Sequence, residues 1–145
     1  HAAFTERAAC FVHGRIRTVD TGGGHCGRVR FEVYARTDVT ASECNCSICA
    51  KSGYLHLIVP RSRFRLLQGS ASLTTYTFNT GTAKHLFCSV CGIKSFYVPR
   101  SHPDGYSVNV RCLDPSTIER VTITPFNGLE WEKQYPEGRG TLPDD

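Results

Sequence analysis

Two short segments dominate the sequence, Cys44-Asn45-Cys46-Ser47-Ile48-Cys49 and Cys88-Ser89-Val90-Cys91, called here the first and second thiol segments. Together they hold five of the eight cysteines in the chain. Cysteines two or three residues apart bridge one another poorly, because a disulfide requires particular Cα separations and torsions. The same spacing is typical of thiolates that hold a tetrahedral metal ion. We therefore expect a fold built around metal-binding turns, with disulfides or plain buried thiols as the alternative.

Zinc is the metal that this donor set favours, since soft thiolates select zinc, copper(I) or iron–sulfur clusters. The first thiol segment supplies three thiols, and three protein ligands with an open position is the arrangement of a catalytic zinc. The second thiol segment supplies two, and Cys26 follows a glycine-rich turn from which it can join them. A single structural zinc, in which Cys44 or Cys46 joins Cys49 and the second segment, is the alternative. The spacing leaves one site and two sites equally open.

Strand patterns cover most of the remaining sequence. In Arg28–Tyr34, for example, Val29, Phe31 and Val33 alternate with polar residues, which indicates a half-buried strand. Segments rich in β-branched and aromatic residues recur at roughly ten-residue spacing, which is typical of an all-β domain. The predicted strands are Cys10–Val19 (a strand or hairpin arm), Arg28–Tyr34, Leu55–Val59, Phe64–Leu67, Ser72–Phe78, Lys84–Cys88, Ile93–Val98 and Tyr106–Leu113.

The segments between these strands are predicted as turns, loops and short helices. Thr21–Gly24 is a strand breaker, and Asp38–Gly53 is a loop that carries the first thiol segment. Asp114 and Pro115 are a favourable helix start, so Ser116–Arg120 is expected to form one turn. Asn127–Tyr135 is expected to form a second short helix near the C-terminus.

Composition and charge narrow the class of protein. The chain has 145 residues, 40% of them hydrophobic, and a formal net charge of +4. Because no apolar run approaches the roughly 20 residues of a membrane helix, we expect no membrane association. The charge is too small for a dedicated nucleic-acid binder, so nucleic acid is not an expected partner. Metal thiolates need a reducing compartment, which predicts a cytoplasmic location, with the nucleus as the alternative.

Three motifs, in order, resemble those of the glutathione-dependent formaldehyde-activating enzyme family. Gly23–Glu32 is similar to the family's opening motif, and the two thiol segments, the second extended to Phe87 and Gly92, are similar to its second and third motifs. Further stretches resemble the animal branch that contains centromere protein V. These are Thr74–Thr80, Ser95–Ser101, Cys112–Asp114, Phe126–Gly128 and Trp131–Lys133.

The resemblance implies a single all-β, β-tent-like domain built around zinc, with one or two short helices near the C-terminus. We expect an N-terminal strand or extension over residues 1–20, the zinc domain over 21–135 and a flexible tail over 136–145. It also implies a carbon–sulfur lyase of the S-(hydroxymethyl)glutathione synthase type, which reversibly joins formaldehyde or a related aldehyde to the glutathione thiol. The partners would be a small thiol and an aldehyde, with zinc, one or two ions, as cofactor and glutathione as co-substrate.

The resemblance also implies the zinc ligands. Cys44, Cys46 and Cys49 match the triplet that holds the catalytic zinc. Cys26, Cys88 and Cys91 match three of the four ligands of a structural zinc. The family's remaining cysteine falls on Gly24, which has no side chain to offer. His25 is the tentative replacement, with Cys10, Cys112, water or an empty position as alternatives.

The sequence also offers candidate residues for binding glutathione and two alternative functions. The glutathione carboxylates would meet one or more of Arg61, Arg63, Lys84, Lys94, Arg100 and Arg111. His85 is a candidate for handling protons, whereas His13, His56 and His102 are expected to be ordinary hydrogen-bonding histidines. Two other functions stay open: a non-enzymatic, zinc-stabilised binding module for chromosomes or cytoskeleton, like centromere protein V, and a thiol redox enzyme using Cys112. The latter requires an exposed Cys112 with a lowered pKa.

Overall fold

The computed structural model describes residues 10–12, 15–115 and 118–140, and within them the predicted all-β fold is confirmed. The strands are β1 Cys10–Val12, β2 Arg15–Gly23, β3 Arg30–Arg36, β4 Asp38–Cys44, β5 Leu55–Pro60, β6 Phe64–Gln68, β7 Leu73–Tyr76, β8 His85–Cys88, β9 Phe96–Tyr97, β10 Gly105–Asn109 and β11 Arg120–Phe126. The helices are α1 Ser47–Ser52 and α2 Trp131–Gln134.

The described strands form three sheets. One has the order β1-β2-β3-β6, a second has the order β11-β4-β5-β10-β9, and β7 pairs with β8 alone. Every pair is antiparallel except β11 with β4, which run parallel. The parallel pair joins distant parts of the chain, and it brings the C-terminal segment beside the first thiol segment.

The core lies on one face of β3. Val29, Phe31 and Val33 are completely buried, as their alternation predicts. The Phe31 ring lies 5.2 Å from that of Phe64 and 5.8 Å from that of Phe96, centroid to centroid. The opposite face is less open than predicted, because Glu32 is only 5% exposed and lies across the ladder from Arg65 of β6.

The predicted breaker at Thr21–Gly24 is wrong, because β2 continues through Gly23. A Cβ on Gly22 would lie 2.6 Å from the backbone oxygen of Cys112, and one on Gly23 would lie 2.0 Å from that of Val29. The glycines here allow close backbone approach rather than ending the strand.

The loop predicted over Asp38–Gly53 is also wrong, because this segment contains β4 and α1. The pairing that makes β4 a strand comes from β11, which the sequence reading missed. Of the helical turn predicted over Ser116–Arg120, Arg120 begins β11 and residues 116 and 117 lie outside the described residues. The structure of both segments depends on pairing between strands that are far apart in sequence. A local sequence pattern does not show which strands pair.

The two ends of the chain are described in part. The second predicted helix is confirmed as a 3₁₀ turn, Gly128–Glu130, followed by α2. In the expected tail, Gly140 N–H donates to the backbone oxygen of Ser101 (2.6 Å), and residues 141–145 lie outside the described residues, as do 1–9. In the described ranges, no helix has the length and apolar character needed to cross a membrane.

Candidate functional site

The first thiol segment gathers its three sulfur atoms at one point. Cys44 ends β4, Cys46 immediately precedes α1, and Cys49 lies on α1. Their Sγ atoms all lie within 4.8 Å of one another, which suits the sulfur–sulfur spacing of about 3.8 Å expected around a tetrahedral zinc. We call this group the loop triplet. The residues therefore fit a zinc ion by both donor chemistry and spacing.

Protonation of the loop triplet is shared among its members. Hydrogen bonds from Cys44 and Cys49 lower the pKa of Cys46 to about 2. The corresponding hydrogen bonds raise the pKa of Cys49 and that of Cys44. The Cys46 sulfur thus accepts hydrogen bonds from the other two thiols. A divalent cation can take the place of the protons of those thiols.

The C-terminal segment packs directly on the loop triplet. Phe126 lies opposite Cys44 in the parallel β11–β4 pair. Gly128, two residues later, lies next to the sulfur atoms. A Cβ on Gly128 would lie 2.3 Å from Cys44 Sγ and 3.0 Å from the Cβ of Cys46. The Asn45 side chain holds this contact by accepting from Leu129 N–H at 3.1 Å. Only glycine fits at position 128 without displacing the thiols.

His56 on β5 supports the loop triplet from the buried side. Its Nε2 lies 3.3 Å from Cys49 Sγ, while its Nδ1 lies 3.0 Å from Ser107 Oγ and 3.3 Å from the Tyr97 hydroxyl. These contacts are satisfied when Nε2–H donates to the sulfur and Nδ1 accepts. Burial, and then the charge of Lys94, lower the pKa of His56 to about 4, so the ring is neutral at pH 7.

A cavity of about 360 Å³ opens beside the loop triplet and is lined by all three of its cysteines. Much of its wall is aromatic, and these residues are Phe78, Tyr97, Phe126, Trp131 and Tyr135. Arg100 is the one lysine or arginine among the described residues that line it. Its guanidinium carbon lies 3.7 Å from the Trp131 ring centroid, and Nη2 lies 3.5 Å from Glu132 Oε1.

Cys26, Cys88 and Cys91 form a separate group, called here the hairpin cluster, whose Sγ atoms also lie within 4.8 Å of one another. Cys26 lies in the turn between β2 and β3, and the other two lie at the end of β8 and in the turn that follows. The Sγ atoms of Cys26 and Cys88 are 3.6 Å apart. Hydrogen bonds from the backbone of Cys26 and Ile93 lower the pKa of Cys91 to about 6. The thiols therefore lie in two separate groups rather than in one combined site.

The fourth side of the hairpin cluster is formed by Gly24. A Cβ at this position would lie 3.2 Å from Cys91 Sγ and 3.7 Å from the Cβ of Cys88. His25, the tentative fourth ligand, is exposed, and among the described residues its ring nitrogens do not join the three sulfurs within 4.8 Å. Of these two residues, the one that faces the sulfur atoms is therefore Gly24, which has no side chain.

Cys112 does not have the properties of a redox nucleophile. Its thiol is only partly exposed, and burial raises its pKa to about 11. This is the opposite of the lowered pKa that the redox alternative requires.

Two residues contribute more to the site than the sequence predicts. The sequence predicts His56 to be an ordinary hydrogen-bonding histidine and shows Gly128 only as part of a stretch that resembles one branch of a family. For His56 a signal exists, since it lies two residues before the apolar Ile58 on the predicted strand Leu55–Val59 and so faces the same side. For Gly128 there was no local signal, because its contact with Cys44 spans the β11–β4 pairing.

Two comparisons relate the chain to known proteins. The sequence profile of the glutathione-dependent formaldehyde-activating enzyme family matches residues 19–127. The fold is also similar to the crystal structure of a Rhodobacter sphaeroides protein, with a TM-score of 0.59 and 36% sequence identity. That alignment covers 72% of this chain and 99% of the bacterial one.

Proposed function

The chain belongs to the glutathione-dependent formaldehyde-activating enzyme family, and from this premise we propose that it reversibly joins formaldehyde or a related small aldehyde to the thiol of glutathione. In that reaction the sulfur–carbon bond forms, the carbonyl π bond breaks and the oxygen gains a proton, giving S-hydroxymethylglutathione. The reaction is that of a carbon–sulfur lyase when read in reverse. Family membership supports the reaction type, and the substrate is our proposal.

The observation that carries the proposal is the position of the loop triplet at the wall of the cavity. Cys44, Cys46 and Cys49 would hold zinc through three thiolates, and all three cysteines line the cavity. Zinc bound in this way supplies a site that lowers the pKa of a thiol and keeps it as the nucleophilic thiolate. The hairpin cluster, Cys26, Cys88 and Cys91, would hold a second, structural zinc.

The chain's own residues supply the remaining requirements. His56 donates to Cys49 and so holds that sulfur in place, as supporting residues do for metal ligands. Arg100 lines the cavity and is the candidate partner for a glutathione carboxylate. The aromatic side chains make part of the cavity wall apolar, and polar contacts are stronger where apolar surroundings lower the dielectric constant.

We also propose that the chain lies in the branch that contains centromere protein V. The stretches that carry this resemblance include Phe78, Arg100, Phe126 and Trp131, and all four line the cavity. A likeness concentrated at the cavity supports a shared small-molecule ligand more than a shared binding surface for chromosomes or cytoskeleton.

Glutathione and formaldehyde also combine without a catalyst, so the test must measure acceleration. NMR exchange spectroscopy on an equilibrated mixture follows the transfer between free glutathione and its hydroxymethyl adduct. We expect the zinc-loaded chain to accelerate this exchange, and the Cys46→Ser chain to leave it at the uncatalysed rate. Exchange that the wild-type chain does not alter would overturn the proposal.

A further inference from the structure

A partly buried cation, Lys94, lies next to residues of the cavity wall and is not used by the function described so far. Lys94 Nζ lies 3.9 Å from the ring centroid of Tyr97 and 5.1 Å from that of Tyr54. Its hydrogen bond is to His85 Nδ1, at 2.7 Å. An ammonium group has three N–H donors and no acceptor, so the direction of this bond is set: Lys94 donates and Nδ1 accepts.

This bond determines the tautomer of His85. A ring nitrogen that accepts carries no proton, so the neutral ring bears its proton on Nε2. The environment keeps the ring neutral, because burial, and then the charge of Lys94, lower the pKa of His85 to about 4. Within the described part of the chain, no protein acceptor lies at hydrogen-bond distance from Nε2.

Two stacked aromatic rings restrain the plane of the His85 ring. The ring stacks on Phe78, with centroids 5.3 Å apart and an interplanar angle of 23°, and on Tyr97, at 5.0 Å and 15°. All three rings line the same cavity as the loop triplet. His85 is thus an oriented N–H donor in the wall of the cavity where sulfur would attack.

We propose that His85 donates its Nε2–H to the carbonyl oxygen of the aldehyde, and that Lys94 positions it for this by fixing its tautomer. The proposal rests on the function proposed above. As the glutathione sulfur bonds to carbon, the carbonyl π pair moves to oxygen and takes the Nε2 proton. Lys94 passes a proton to Nδ1 in the same step. Water then returns to Nε2 the proton that it received when the thiol ionised, and Nδ1 gives its proton back to Lys94. His85 and Lys94 thus regain their starting states, and atoms and charges balance.

Three variants separate donation from packing. His85→Phe keeps the stacking on Phe78 and Tyr97 but has no donor, and we expect the exchange kcat to fall about a hundredfold with KM for glutathione largely retained. His85→Gln places an amide N–H near the position of Nε2 and should recover most of the lost rate. Lys94→Met should lower kcat, whereas Lys133→Met, at an exposed lysine that pairs with Glu130 and does not line the cavity, should change nothing.

A spectroscopic measurement tests the proposal without relying on turnover. In zinc-loaded chain with ¹⁵N-labelled histidine, the ring shifts should report a protonated Nε2 on His85 at pH 7, and a mixture of tautomers after Lys94→Met. The Nε2–H signal should move when equilibrated glutathione and formaldehyde are added, and not with S-methylglutathione, which lacks the hydroxyl.

The outcomes distinguish the two proposals. A proton on Nδ1, an Nε2–H signal insensitive to the adduct, or His85→Phe with wild-type kcat would each overturn the role of His85. A wild-type chain that leaves the exchange rate unaltered, but whose Nε2–H signal moves with the adduct, would overturn the proposed function and support the contact between His85 and the adduct oxygen.

Discussion

The loop triplet and the hairpin cluster each hold three thiol sulfurs within 4.8 Å of one another, yet they differ in how they are assembled. The loop triplet comes from six consecutive residues and is held by His56 and by the C-terminal segment. The hairpin cluster joins Cys26 to Cys88 across 62 residues of sequence.

The surroundings of the two groups differ as well. The loop triplet forms part of a cavity wall, and none of its three cysteines is exposed. The hairpin cluster has an exposed member, Cys26, and a fourth side where Gly24 offers no ligand. The donor set alone therefore does not decide between catalytic and structural roles. The neighbouring cavity, and the group at the fourth coordination position, distinguish the two roles.

Removal of one thiol from the loop triplet should have the largest effect. In Cys46→Ser we expect the zinc content to fall by one ion per chain and the glutathione–formaldehyde exchange to fall to the uncatalysed rate, because the remaining two thiols cannot hold the ion. Elemental analysis and exchange NMR measure these changes.

Cys112→Ser is the matched control, since Cys112 belongs to neither group. If Cys46→Ser keeps its zinc while Cys91→Ser loses it, the metal is confined to the hairpin cluster, and the proposed division between the two groups is wrong.

A methyl group at position 128 should act on the loop triplet alone. In Gly128→Ala the added Cβ would lie 2.3 Å from Cys44 Sγ, so either the sulfur or the C-terminal segment must move. We expect weaker zinc binding in a chelator competition and a loss of about 1–3 kcal/mol in the free energy of unfolding. Leu129→Ala, at a neighbouring residue that is 71% exposed, should leave zinc binding intact. Equal zinc affinity in Gly128→Ala and wild type would refute this contact.

A cysteine at position 24 should make the hairpin cluster more like a closed structural site. In Gly24→Cys the new side chain would start 3.2 Å from Cys91 Sγ and supply a fourth thiolate after a small adjustment. We expect zinc to bind this cluster at least about tenfold more tightly, which corresponds to about 1.4 kcal/mol, and Tm to rise. Gly24→Ser introduces the same backbone change with a poor ligand and serves as the control. A cysteine variant that behaves like the serine variant would show that the fourth position is already filled.

The smallest effect concerns proton binding next to the loop triplet. The pKa of His56 is lowered in the folded chain to about 4, from an ordinary value of 6.5. Between these values the unfolded chain binds a proton that the folded chain does not, so the stability that is present above pH 6.5 is lost as the pH falls toward 4.

His56→Gln should remove this contribution and flatten the slope by at most about 1.4 kcal/mol per pH unit. Urea denaturation of both zinc-saturated chains between about pH 5 and 7 measures the difference, in which zinc-linked protonation common to both cancels. Parallel pH profiles for the two chains would contradict the lowered pKa.

The cysteine motifs were readable because ligand spacing is a local property. Cys44, Cys46 and Cys49 are brought together by a strand end and one helical turn, so their sequence order already implies their proximity. The alternation around Phe31 likewise predicts a buried strand, since side chains of a strand point to opposite faces in turn. Family motifs and the all-β class follow from such short patterns.

The missed elements depend on contacts across long stretches of sequence. The strand Arg120–Phe126 carries an alternating pattern at Val121 and Ile123, but only its parallel pairing with β4 places it beside the first thiol segment. The glycines at 22 and 23 resemble a turn in sequence, and only the nearby backbone of Cys112 and Val29 explains them as strand residues.

By itself, then, the sequence determined the donor atoms, the β class and the family, because each is written in residue types at short spacing. The thiol spacing leaves one and two groups equally open, and the tertiary structure shows the two groups that the resemblance implies. Only the tertiary structure decided that Gly24 faces the hairpin sulfurs and that Lys94 donates to His85 beside the cavity. These are contacts between residues brought together by sheet pairing and core packing, and the free energy of burying the whole core, rather than any local preference, fixes them.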